Sequence, residues 1–279
     1  MVIDIHTHLF PRDVRVDRSG FFVDEPAFEL LYKPEKSRMV GAAEMVAAMD
    51  EDGVDKSVIF GFPWESAELF TRHNDYILEA VNRYPDRFVG FACFDVYSDR
   101  AVDEARRCLE AGLRGLGELA LYRSGIDDDA LDRLAPLMGL AMEHGAPVLI
   151  HTNEPVGHMY PGKTPVTTAQ VWNLVERFPD NRIILAHWGG GVFFFHLLRK
   201  NAKELMANLY LDSAASPYLY DPRIWDIACR TIGADKVLFG TDYPLIRAKR
   251  YMKELAEAGL SEEDLSKILG GNAKRLLGL

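Results

Sequence analysis

Asp4-Ile5-His6-Thr7-His8 sets one carboxylate and two imidazoles at alternate positions of an apolar run. On a strand, alternate side chains share a face, so all three project to one side. Four further apolar runs close on the same kinds of group. Glu118 follows Gly115-Leu116-Gly117, His151 follows Val148-Leu149-Ile150, His187 follows Ile183-Ile184-Leu185-Ala186, and Asp242 follows Val237-Leu238-Phe239-Gly240-Thr241. A single histidine on an apolar strand is most simply a satisfied core residue. Five strands ending in imidazole or carboxylate are another matter, because burying such groups together is costly unless they are paired or bind a cation. Imidazole nitrogen with carboxylate oxygen suits Zn²⁺, with Mn²⁺ or Fe²⁺ as alternatives.

Something must bring these ends together. Short apolar runs recur at Val2–His6, Lys56–Phe62, Phe88–Phe94, Gly115–Leu119, Pro147–His151, Arg182–His187, Leu209–Asp212 and Lys236–Gly240. They are nearly continuous in Val, Ile, Leu and Phe, as strands buried on both faces of a parallel sheet require. Between them, apolar residues at three- and four-residue spacing predict helices over Ala42–Glu51, Ala67–Tyr84, Arg100–Ala111, Asp128–His144, Thr167–Arg177, Phe193–Asn201, Arg223–Thr231 and Tyr251–Ala258. Asp127 is placed to cap a helix, and Ser261-Glu262-Glu263-Asp264 reads as a capping box before Leu265–Leu269. Eight strands alternating with helices predict a (β/α)₈ TIM barrel, whose catalytic residues come from the C-terminal ends of several strands. No linker divides the chain, so residues 1–279 read as a single domain. The long first connection, Leu9 to about Gly41, reads as a loop insertion after strand one that could cover the catalytic face.

The bulk composition limits the partners. The chain has 279 residues, 48% hydrophobic and 27% charged, with a net charge of −10. That charge argues against nucleic acid, which needs clustered Lys and Arg. Cys93, Cys108 and Cys229 are an odd, widely spaced set and read as small buried hydrophobes. No signal-peptide pattern opens the sequence, and no apolar run approaches the ~20 residues of a membrane span. A cytoplasmic enzyme with a small-molecule substrate and no membrane partner is expected. A homodimer is the default from general frequency, with no sequence feature behind it.

The residues that could do chemistry also carry a resemblance. Asp4-Ile5-His6-Thr7-His8, His151-Thr152, Ala186-His187-Trp188-Gly189-Gly190, Gly240-Thr241-Asp242-Tyr243-Pro244 and Gly270-Gly271-Asn272-Ala273 run in family order from end to end. In these motifs the chain resembles the amidohydrolase superfamily, specifically the amidohydrolase-related branch that includes aminocarboxymuconate-semialdehyde decarboxylase. The resemblance implies that His6, His8, His151 and Asp242 surround one divalent metal, most simply zinc. It implies that His187 contacts activated water, substrate or a second metal, and that Asp242 is both ligand and general base. In some relatives of the superfamily a Glu after strand four is also a ligand. Glu118 therefore either ligates, making a site of two ions, or hydrogen-bonds the ligands or pairs with Arg123. Asp4 is expected to support the site, as a structural carboxylate or one that orients an imidazole, rather than bind metal.

The loop after strand five, from Asn153 to Lys163, carries Glu154, His158, Tyr160 and Lys163 and reads as a substrate contact, since rim loops of this fold carry function. Arg123 or Lys163 could hold a substrate carboxylate. Trp188-Gly189-Gly190-Gly191 lacks nucleotide-binding spacing; Trp188 is taken as a substrate contact beside His187. Phe193-Phe194-Phe195 reads as helix packing, and His73, His144 and His196 read as bystanders. The leading expectation is hydrolysis of a small amide, ester, lactone or ring by metal-activated water. The alternative is non-oxidative decarboxylation of an aromatic or unsaturated acid. A non-catalytic metal-binding barrel would lack a ligand or base, and none is missing.

Overall fold

The computed structural model describes all 279 residues, Met1 to Leu279. Its strands are β1 (Ile3–His8), β2 (Lys56–Phe60), β3 (Phe88–Ala92), β4 (Gly115–Leu119), β5 (Val148–Ile150), β6 (Ile183–Leu185), β7 (Leu209–Asp212) and β8 (Val237–Leu238). They pair in sequential order, all parallel. The backbone joins the ends: Ile5 N–H donates to Phe239 O at 2.8 Å, His8 N–H to Tyr243 O at 2.8 Å, and Asp242 N–H to His6 O at 2.9 Å. The architecture is a (β/α)₈ barrel, as expected, and every strand lies inside or within two residues of its predicted run.

The apolar runs bury both faces of the strands. Inward, Ile5, Val58, Phe60, Phe91, Leu149, Ile184 and Leu238 pack on one another to fill the barrel. Outward, Ile59, Leu116, Val148, Leu185 and Leu211 meet the helices. Burying each such side chain removes apolar area from water, worth about 1.5–3 kcal/mol apiece before conformational entropy is counted. The helix Asp128–Glu143 starts where Asp127 accepts a hydrogen bond from Ala130 N–H at 2.9 Å. Ser261 does the same for Asp264 N–H at 3.1 Å, although the helix it opens, Glu262–Ser266, precedes the predicted one and runs through a wide turn into Asn272–Leu277.

Two segments depart from the reading. The expected helix Phe193–Asn201 is absent. In its place 3₁₀ turns run from His187 to Leu197, beginning with five residues at positive φ, His187 through Gly191. A left-handed start of this kind relies on the glycines and leaves the Phe run without a helical N-terminus to extend. The first connection is not a bare loop either. It holds short helices at Arg12–Val16 and Pro26–Tyr32 with a 3₁₀ turn at Arg18–Phe21 between them. Each is too short for a periodic signal, and their order comes from tertiary contacts. The buried Glu25 carboxylate accepts from Glu65 N–H at 3.0 Å and Ser66 N–H at 2.8 Å. His73, read above as a bystander, joins Leu9 O at 2.6 Å and accepts from Trp64 Nε1–H at 2.8 Å. Phe10, Phe28, Tyr32, Phe62 and Trp64 stack among themselves beneath. The insertion is thereby held over the C-terminal end of the barrel. No helix is long and apolar enough to cross a membrane.

Candidate metal centre

The strand ends converge. His6 and His8 leave β1 on one face with ring centroids 5.3 Å apart, His6 and His187 lie 5.4 Å apart, and His151 and His187 5.0 Å. Glu118 reaches into their midst from β4: its carboxylate lies 2.8 Å from His151 Nδ1, 3.5 Å from His6 Nε2, 3.6 Å from His187 Nε2 and 3.7 Å from His8 Nε2. Asp242 Oδ1 stands 3.2 Å from His8 Nε2 and 3.8 Å from His6 Nε2. Three overlapping groups, His6–His8–Glu118, His6–His187–Asp242 and Glu118–His151–His187, each hold their donor atoms within 4.8 Å of one another.

The orientation of the rings is set from behind. Asp212, at the end of β7, takes His6 Nδ1–H at 2.8 Å and turns Nε2 inward, where it is buried without a hydrogen-bond partner. Asp212 also accepts from His187 N–H at 2.9 Å and Ala214 N–H at 3.0 Å. His187 Nδ1–H donates to Ala214 O at 2.8 Å, leaving its Nε2 for the centre. His151 Nε2 is likewise buried and unpartnered. Orphaned nitrogens beside two carboxylates are what a divalent cation would satisfy, since zinc takes nitrogen and oxygen ligands at about 2.0–2.2 Å. The residues present fit such an ion.

The electrostatics agree. Burial alone would raise the Glu118 pKa, but His6 and His151 outweigh it and hold the carboxyl well below its usual range. Burial would lower the His6 pKa, yet Glu118 and Asp212 lift it well above the ordinary value. For Asp242, too, burial is overcome, by His8 and His6, and its pKa falls. The anions thus stay charged and draw positive charge to the site. Backbone shape contributes as well. His187 and Asp242 sit at φ of 54° and 62°, a left-handed conformation that non-glycine residues adopt at functional sites held by their surroundings. Gly117, at φ 122°, lies so close to the Leu149 carbonyl that any Cβ there would collide with it, which brings Glu118 inward.

Asp4 takes the structural role rather than the orienting one. Its carboxylate accepts from Thr241 N–H at 3.0 Å and Thr241 Oγ1–H at 2.6 Å, so it ties β1 to the segment after β8, and burial pushes its pKa up to about 7. The orienting carboxylate is Asp212, to which the sequence reading assigned no role, although Leu209-Tyr210-Leu211-Asp212 has the same strand-then-acid form as the others.

Above the centre lies a cavity of about 460 Å³. His8, Glu118, His151, His187 and Asp242 border its floor, with Tyr32, Phe62, Tyr122 and Leu219 on its walls and Lys36 and Arg38 of the insertion also lining it. Of the residues expected to touch substrate, His158 and Tyr160 line this cavity. The others are engaged elsewhere. Glu154 accepts from Tyr160 Oη–H at 2.9 Å and Lys163 Nζ at 3.1 Å, and Lys163 also caps the Val156 carbonyl at 2.6 Å. Arg123 pairs with Asp95 at 3.4 Å and lies over the Tyr97 ring, so it is no partner of Glu118. Trp188 is fully buried, donating from Nε1 to Ser216 Oγ at 2.9 Å with its ring edge-on to Trp225. Sequence reasoning passed over Tyr32 and Tyr122: the first lies in the insertion that read as a loop, the second four residues past Glu118.

An eight-stranded parallel barrel whose strand ends gather imidazoles and carboxylates defines a class, the TIM barrels with a centre suited to a divalent cation. Within that class the Amidohydrolase family profile matches residues 3–279, and the chain belongs to that family. It is 26% identical to the 2-amino-3-carboxymuconate-6-semialdehyde decarboxylase of Dictyostelium discoideum, across 99% of this chain and 91% of that protein. It is 24% identical to the gamma-resorcylate decarboxylase of Polaromonas sp., across 99% of this chain and 98% of that one. Among solved structures, a 2,6-dihydroxybenzoate decarboxylase complexed with 2,6-dihydroxybenzoate superposes with a TM-score of 0.75 at 20% identity, covering 100% of this chain and 99% of that one. A dihydroxybenzoic acid decarboxylase from Polaromonas sp., with bound manganese and 2-nitroresorcinol, gives 0.73 at 21% identity, covering 100% and 97%. These findings overturn the expectation of hydrolysis, because the relatives matching the whole chain are decarboxylases. The reason for the error is physical: the same ligand set serves both reactions, and ligands do not announce which bond is broken.

Proposed function

We propose that this chain is a metal-dependent, non-oxidative decarboxylase of a small aromatic or unsaturated carboxylic acid. One observation carries the reading: in a chain whose full-length relatives are decarboxylases, the imidazole–carboxylate centre floors a cavity walled by Tyr32, Phe62 and Tyr122. His6, His8, His151 and Asp242 would hold the ion, zinc or manganese, with Glu118 completing the set. When bound, the ion supplies a Lewis acid for the substrate carboxylate and an adjacent oxygen.

The remaining work falls to the chain. Phe62, Leu219 and the two tyrosine rings exclude water from a planar substrate, and a low-dielectric cavity strengthens every charge contact inside it. His187, held by Ala214 O, presents Nε2 to a substrate oxygen. Asp242, charged at rest, relays a proton taken up from solvent to the carbon that loses its carboxylate. The carbon–carbon bond breaks, its electron pair stays on that carbon and takes the proton, and carbon dioxide leaves, so each turnover consumes one proton.

The test is incubation of zinc- or manganese-loaded protein with benzoic acids bearing hydroxyl or amino groups, following carbon dioxide release and loss of the acid by chromatography. Release from at least one acid, stopped by a chelator and slowed on the order of 10²–10⁴-fold in Asp242→Asn, is expected for a residue that moves a proton in the reaction. Protein that demonstrably holds its metal and releases no carbon dioxide from any of them overturns the reading.

A further inference from the structure

Two phenols that line the cavity, Tyr32 and Tyr122, have half-buried rings and no protein group for their hydroxyls to bond. Other tyrosines near the site differ from these: Tyr160 bonds Glu154 at 2.9 Å and Tyr251 the Thr241 carbonyl at 2.9 Å, the Tyr220 hydroxyl is buried away from the cavity lining, and Tyr218, on the rim, is 57% exposed. Tyr32 and Tyr122 both line the cavity, both are half-buried, and neither hydroxyl is bonded to a protein group or sealed from the cavity. A tyrosine with a buried ring normally finds a partner for its hydroxyl. These two have one available direction, the space above the metal centre.

Their rings are fixed while their hydroxyls are free. Tyr32 packs edge-to-face on Phe10 with centroids 5.0 Å apart and tilted on Phe28 at 4.8 Å, inside the aromatic cluster that clasps the insertion to the barrel. Tyr122 lies near-parallel to the His151 ring, 29° and 6.5 Å between centroids. Rigid rings pay little conformational entropy when a ligand binds, so a hydrogen bond from either hydroxyl is available at small cost. A phenol is protonated at neutral pH, so both hydroxyls can act as donors.

We propose that Tyr32 and Tyr122 are specificity-determining residues that donate hydrogen bonds to an oxygen substituent of the substrate other than its reacting carboxylate. The insertion after β1 and the segment after β4 then select together: the acid is a planar one carrying a second oxygen acceptor, and a bare aromatic acid is discriminated against. Sites built to hydrogen-bond a substrate hydroxyl reject the analogue that lacks it, because their own polar groups are left unpaired. The choice of an aromatic acid rests on the decarboxylase reading; the recognition of an oxygen substituent rests on the two free hydroxyls.

The experiment measures binding apart from turnover. Benzoate and the 2-, 3- and 4-hydroxybenzoates are titrated calorimetrically into zinc-loaded wild type, Tyr32→Phe, Tyr122→Phe and the double variant, with thermal melting as the check that each variant folds. In wild type at least one hydroxybenzoate binds about tenfold or more tighter than benzoate, the effect of one or two added hydrogen bonds. Each single variant reduces that ratio and the double variant brings it to within about twofold. A wild type that binds none of the acids or all equally, or a double variant that keeps the ratio, overturns the proposal. The two readings fail separately. Carbon dioxide release with the ratio intact in the double variant sinks the tyrosine pair alone, and a ratio that collapses as expected without any carbon dioxide release sinks decarboxylation alone.

Discussion

The strand ends and the loops of this barrel treat their polar residues in opposite ways. At the strand ends His6, His8, Glu118, His151, His187 and Asp242 point at one another, and further groups are arranged behind them, Asp212 behind His6 and the Ala214 carbonyl behind His187. In the loops the charged residues that looked most suited to substrate satisfy each other: Glu154 with Lys163, Arg123 with Asp95. A strand end cannot choose its neighbours, because the barrel dictates where it points, so unpaired polar groups there imply a ligand. A flexible loop lets a long cation find the nearest carboxylate, so charge in a loop says little about what it binds. In the loops, the groups left open to the cavity include the neutral phenols of Tyr32 and Tyr122.

The comparison can be broken most severely at Asp212. Asp212→Asn removes the carboxylate behind His6, and metal affinity should fall about 10–100-fold, the usual effect of losing a ligand's outer partner; equilibrium dialysis against zinc measures it, and unchanged affinity would mean the ring is held without Asp212. The same dialysis sharpens the point with pH. Burial lowers the His6 pKa but Glu118 and Asp212 raise it further, so the metal-free ring keeps its proton toward neutral pH and an ion must displace it. Affinity should therefore rise with pH and drop on going from about pH 8 to about pH 6, and a flat profile would remove His6 from the ligand set.

The loop pairs should respond as structure rather than as binding groups. Lys163→Met breaks an ion pair whose lysine side chain is only 5% exposed. The cost should be about 1–3 kcal/mol, read as a lower melting temperature, with the Michaelis constant moving more than kcat as the wall bearing His158 and Tyr160 loosens. A change confined to kcat would return Lys163 to the chemistry. Arg123→Ala is the smallest effect. Its side chain is 55% exposed, surface pairs contribute about 0–1 kcal/mol, and kcat/KM should stay within about twofold. A large loss there would show that Arg123 reaches the substrate after all.

Much of this molecule was legible in the residues. Nearly continuous apolar runs, broken by helical spacing, give eight buried parallel strands, and the imidazole or carboxylate closing five of them marks the end that gathers the candidate metal ligands. That reading depends only on local pattern, unbroken apolar runs for the strands and a period of about 3.6 residues for the helices, which a single chain displays in full. The alternation in Asp4-Ile5-His6-Thr7-His8 is of the same kind. Where the pattern fell short, the cause lay in contacts across the fold. The short helices of the insertion form because Glu25 and His73 hold them, from residues at least forty positions away in the case of Glu25. The run after His187 turns left-handed, and Phe193-Phe194-Phe195, apolar enough for a helix, never starts one.

By itself, then, the sequence determined the barrel, the order of its strands and the kinds of atom at their ends, because those follow from side-chain periodicity and from the steric limits of the backbone. Only the tertiary structure decided which acid orients His6, that Asp4 ties β1 to Thr241, that Lys163 and Arg123 are already paired, and that the cavity-facing hydroxyls of Tyr32 and Tyr122 are not. Partnership between residues far apart in the chain is a matter of distance and direction, and a hydrogen bond lost or kept across a few ångströms separates a structural residue from one that meets the substrate.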